Sequence, residues 1–65
     1  MDKQIGRQYL SVKELSRYAG ISTHTLYLWI QLRRIPHHKI GKLIRFKLAE
    51  IEGWLEEKKV EEINR

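Results

Sequence analysis

Cysteine is absent from the chain, which excludes a disulfide framework and a thiolate zinc site, and is compatible with a reducing cytoplasm. No apolar run approaches the roughly 20 residues that a membrane helix needs. The opening MDKQIGRQYL lacks the apolar core of a secretory signal. The expectation is therefore a soluble, cytoplasmic protein with no membrane partner. Repeats, low-complexity tracts and long linkers are also missing, and 65 residues permit one small domain with a marginal core. Catalytic signatures are wanting too. There is no nucleophile–base pairing and no phosphate-cradling Gly-rich loop, and the chain is too short to enclose a deep pocket. His24, His37 and His38 have no acidic or thiol partners at ligand spacing, and neighbouring histidines on a strand point to opposite faces. Neither an enzyme, a metal site nor a cofactor is expected.

What the chain does have is positive charge, unevenly spread. Thirteen Lys and Arg face eight Asp and Glu, a formal net of +5. Residues 1–46 carry nine basic side chains against Asp2 and Glu14, a net of +7, and residues 47–65 carry four against six, a net of −2. A basic body with a mildly acidic tail suits a polyanionic partner. Solubility alone is the other reading of the same charge.

Single residues supply the punctuation. Ser11-Val12-Lys13-Glu14 has the S-x-x-E spacing of a capping box, Val12, Leu15 and Ala19 follow at helical spacing, and Gly20 suits a left-handed helix end. Ser22 then caps a second helix after only Gly20 and Ile21. Ile21 and Leu26 are spaced as a hydrophobic staple, and Leu26, Trp29 and Ile30 continue the apolar stripe. Pro36, the one proline, stops helix at or before Ile35. Two short helices this tightly joined predict a helix-turn-helix, whose second helix commonly enters the DNA major groove. Beyond Pro36 the pattern changes. HHKI and LIRF flank Gly41-Lys42, a pair suited to a type II′ turn that sets Ile40 opposite Leu43 and Lys39 opposite Ile44. A third helix is predicted from about Lys47, poorly capped, with Leu48, Ile51, Trp54 and Leu55 on one face. Trp29, Trp54, Tyr18 and Phe46 are read as core or core edge, with stacking on unpaired bases the weaker alternative.

From Tyr9 to Leu55 the chain resembles the excisionase family of small winged helix-turn-helix proteins, related to the DNA-binding heads of MerR-type regulators. The resemblance rests on Leu10-Ser11-Val12-Lys13-Glu14, Gly20-Ile21-Ser22, Thr25-Leu26-Tyr27, Ile35-Pro36, Lys39-Ile40-Gly41-Lys42 and Trp54-Leu55. It implies a mainly α fold with a small β-hairpin, in the order helix–helix–hairpin–helix. Residues 1–8 would form an N-terminal arm, 9–55 the DNA-binding domain, and 56–65 a helical or frayed tail. The chain departs from the family in two places. Arg33 stands where members usually have Gly, so it must either take positive φ or lengthen the helix. Leu43-Ile44 stands where the wing is often basic or aromatic.

The recognition-helix candidates are Ser22, Thr23, His24, Thr25, Tyr27, Leu28 and Gln31. Thr23 and His24 have the chemistry to meet base edges, and Tyr27 to reach a phosphate. A solvated helix face is the alternative. Candidates for backbone and wing contacts are Arg17, Arg33, Arg34, Lys39, Gly41, Lys42 and Arg45, with Lys3 and Arg7 adding to them from the arm. Arg45 has an equal alternative, an ion pair with Glu50. The resemblance further implies a bacterial, nucleoid-associated factor. It would bind attachment-site repeats cooperatively, bend the double-stranded DNA and assist a site-specific integrase; for the tail after Leu55, a partner-docking segment and a solvated, frayed helix end are both open readings. The alternatives are a small transcriptional regulator with the same module and a basic protein-interaction module.

Overall fold

The structure, a computed structural model, describes residues 8–60. Lys3, Arg7 and the end of the tail lie outside the described residues. Six elements follow in order: β1 (Tyr9–Leu10), α1 (Val12–Ala19), α2 (Thr23–Gln31), β2 (His38–Ile40), β3 (Leu43–Lys47) and α3 (Leu48–Glu57). This is the predicted winged helix-turn-helix, mainly α with a hairpin, plus one short strand that sequence patterning did not reveal.

Local chemistry explains each boundary. Ser11 caps α1 through the anticipated box: its Oγ accepts from Glu14 N at 3.1 Å, and Ser11 N donates to Glu14 Oε1 at 2.9 Å. Gly20 ends the helix at φ 72, its N–H on the Ser16 carbonyl, a conformation that costs glycine little. Two residues later Ser22 starts α2, accepting from Thr25 N at 3.1 Å. In the Gly41-Lys42 turn only Gly41 has positive φ, at 61. A type I′ turn would need positive φ at Lys42 as well, so the turn is the expected type II′. The register is also the predicted one, Ile40 opposite Leu43 and Lys39 opposite Ile44, with His38 opposite Arg45.

β1 pairs antiparallel with the far edge of β3, Tyr9 with Lys47 and Leu10 with Phe46, giving a three-stranded sheet in the order β1-β3-β2. Covering that edge matters because a lone hairpin of this size is marginal in water. Side chains alternate across the pleat. Leu10, Ile44 and Phe46 turn to the helices, while Tyr9, His38, Ile40, Leu43, Arg45 and Lys47 share the outer face.

The core consists of Val12, Leu15, Leu26, Ile35, Phe46 and Ile51, all buried. It draws on every helix, the central strand and, through Ile35, the connection after α2. Each fully buried side chain of this kind stabilises by about 1.5–3 kcal/mol, so the loss of one is felt by a domain this small. Trp29 and Trp54 close the edge of the core, ring centroids 5.8 Å apart in edge-to-face packing. Trp54 Nε1 also donates to the Arg34 carbonyl at 3.1 Å. Tyr18 departs from the expected core role: it is 51% exposed, and its hydroxyl donates to Glu52 Oε2 at 3.2 Å. Glu50, Glu52 and Trp54 thus tie α3 to β2, to α1 and to the exit of α2 in turn. No described helix is long and apolar enough to cross a membrane.

Candidate nucleic-acid interface

The second helix is fixed from beneath. Leu26 is fully buried, Trp29 and Ile30 pack against the core, and Ile21 joins them from the residue before the cap. That leaves Thr23, His24, Tyr27, Leu28 and Gln31 exposed, all five among the recognition-helix candidates. Among the described residues none of the five has a side-chain hydrogen bond or ion pair. Ser22 and Thr25 differ from them. The Ser22 hydroxyl donates to Thr25 Oγ1 at 3.0 Å while accepting from Thr25 N, and Thr25 is half-buried. Their hydroxyls are already occupied in holding the first turn of α2.

The end of α2 shows how the chain handles Arg33. Helix stops at Gln31, and Arg33 takes φ 57, the one positive φ at a non-glycine residue among those described. Arg33 N donates to the Ile30 carbonyl at 3.1 Å and Arg34 N to the Trp29 carbonyl at 2.9 Å. These two bonds form a Schellman motif, with arginine in the seat usually given to glycine. Of the two routes open to Arg33, the chain takes the strained one. Both guanidinium-bearing residues remain exposed just past the helix, and Arg17 is exposed in the last turn of α1.

On the hairpin, Lys39, Gly41 and Lys42 are exposed. Arg45 is half-buried and donates to its neighbour's Ile44 carbonyl at 2.8 Å. The proposed Arg45–Glu50 pair does not form, because Glu50 Oε1 is 3.0 Å from His38 Nε2. His38 lies opposite Arg45 in the ladder, and it is His38 that meets the Glu50 carboxylate in the first turn of α3. Tyr9 packs edge-on to the same imidazole, centroids 6.1 Å apart, and with Lys39, Ile40 and Arg45 these residues bound an open depression. His37 Nδ1 donates to the Ile35 carbonyl at 2.8 Å, which pins the turn at Pro36. Among the described residues, no three His, Cys, Asp or Glu side chains gather around a metal-sized site.

Three side-chain contacts between distant residues escaped sequence reasoning. His38–Glu50 joins residues 12 apart, Trp54–Arg34 residues 20 apart and Tyr18–Glu52 residues 34 apart, and no local pattern encodes any of them. The Tyr18 phenol is raised above its ordinary 10.0, first by its hydrogen bond to Glu52, then by burial and by the carboxylate's charge.

No curated protein and no solved structure matches the chain. A family model for the helix-turn-helix domain matches residues 9–59, a span that begins at β1, ends past α3 and takes in every element described above. The chain therefore belongs to the helix-turn-helix domain family and is a DNA-binding protein of that kind.

Proposed function

We propose that this protein is a sequence-specific binder of double-stranded DNA acting as an excisionase-like recombination directionality factor. It occupies neighbouring copies of a short site, bends the DNA between them and assists a site-specific integrase. The observation that carries the sequence-reading part is the outward face of α2. Thr23, His24 and Tyr27 are held at the start of a well-capped helix, exposed and free of side-chain partners among the described residues. Arg33 and Arg34 follow the helix directly, and Arg17, Lys39 and Lys42 are further exposed cations, all suited to phosphates. In this assignment Arg45 is a weaker contributor than the rest, because its guanidinium already serves the Ile44 carbonyl.

One head of this size touches few base pairs, so cooperative binding at adjacent sites supplies affinity that a single site lacks. A gel-based bending assay, with and without a candidate site-specific integrase, tests the recombination role. A bend that deepens or a complex that is retained on adding integrase supports it. Sequence-specific binding with neither effect replaces it with a transcriptional regulator built on the same module. Binding that is weak and insensitive to salt would make DNA the wrong partner and favour an acidic protein, since phosphate contacts release counterions.

A further inference from the structure

From Thr23 to Leu32 the second helix and its cap carry no Asp, Glu, Lys or Arg. Yet this helix exposes large apolar groups: Tyr27 is 52%, Leu28 45% and Leu32 51% exposed. Helical spacing sets them in two adjacent rows, Thr23–Tyr27–Gln31 and His24–Leu28–Leu32, each stepping by four residues. Nothing described in the fold covers these rows.

We infer that the outward face of α2 reads thymine, its C5-methyl groups packing against Leu28 and its flanking residues, so that the recognised core is rich in A·T pairs. This inference rests on the groove-reading role proposed above and specifies its chemistry. In the major groove the one apolar group a base pair presents is the thymine methyl. Guanine is recognised best by the paired donors of Arg or Lys, and cytosine by a carboxylate acceptor; α2 has neither. Thr23 adds a second methyl in the first turn. His24 donates to a purine N7, which adenine and guanine share, so it does not oppose the preference. Arg33 and Arg34 follow the helix at its far end, whereas base edges are met mainly by the first turns; their charge suits phosphate.

Selection from duplexes with a randomised core, followed by remaking the selected site with deoxyuridine in place of each thymine, tests this directly. Uracil keeps every hydrogen bond of the pair and removes only the methyl. The expected result is an A·T-rich core and, at one or more positions, about fourfold weaker binding per lost methyl. In Leu28→Ala, whose side chain is half in solvent and outside the core, the uracil effect should vanish at one or more of those positions. A G·C-rich selected core, a uracil effect under about twofold at every thymine, or an effect undiminished in Leu28→Ala overturns the inference. Failure of the underlying role looks different: salt-sensitive binding with no selected sequence at all would overturn both readings together.

Discussion

A side chain held in the left-handed region loses about 1–2 kcal/mol relative to an ordinary backbone conformation, yet Arg33 sits there at φ 57. The two Schellman bonds from Arg33 and Arg34, together with the Trp54 indole on the Arg34 carbonyl, keep it in place. Arg33→Gly should therefore raise stability in urea denaturation by about 1 kcal/mol. The same variant should bind DNA more weakly, with the salt slope reduced by about 1 if the guanidinium meets a phosphate. A stability gain with unchanged binding would leave Arg33 without a role at the interface. Tyr18 gives a second residue-scale expectation. Its hydrogen bond to Glu52 raises the phenol pKa, so the folded state holds that proton more tightly than the unfolded chain. The linked stability is fully present below pH 10 and is lost as pH rises through the raised value. Spectrophotometric titration should find Tyr18 ionising later in the native protein than in Glu52→Ala.

Among the elements, α2 separates scaffold from surface within nine residues. Leu26, fully buried, and Phe46 beneath the sheet belong to the scaffold. Phe46→Ala should cost about 3–5 kcal/mol, a large share of the ~3–10 kcal/mol expected for a domain this small. Thr23→Ala on the exposed face should stay within about 0.5 kcal/mol, and thermal melts followed by circular dichroism compare the two. Both helices of the motif and the hairpin register were legible in the sequence, because Ser11, Gly20, Ser22, Pro36 and Gly41 each act on backbone within a few residues of themselves. β1 was not, since two residues are too few to show an alternation and the strand exists only by pairing with β3. Ile35 hid for a similar reason: it is buried but belongs to no periodic element. The polar contacts of α3 were equally illegible. Whether Glu50 meets His38 or Arg45 depends on how the hairpin docks on α3, and proximity in sequence favours the wrong one, since Arg45 is the nearer neighbour of Glu50 and His38 is 12 residues away. For the candidate interface, periodicity identified the exposed face of α2, while the engagement of Ser22 and Thr25 in the cap emerged only from the geometry.

Over the molecule as a whole, charge and architecture point to the same partner. The basic excess lies in residues 1–46, and the acidic side chains collect in α3 and beyond, where Glu50 and Glu52 are drawn into contacts with β2 and α1. Base reading is assigned to α2 and anchoring to the surrounding cations and the hairpin tip. The most direct test of that division is a titration of selected and unrelated duplexes across salt concentrations with Thr23→Ala, His24→Ala and Lys42→Ala. Thr23→Ala and His24→Ala should weaken binding to the selected site by about 1–3 kcal/mol per base contact and leave unrelated duplex nearly untouched. Lys42→Ala should weaken both alike and lower the salt slope by about 1. Equal losses on both duplexes from all three substitutions would contradict the assignment of reading to α2 and anchoring to the wing.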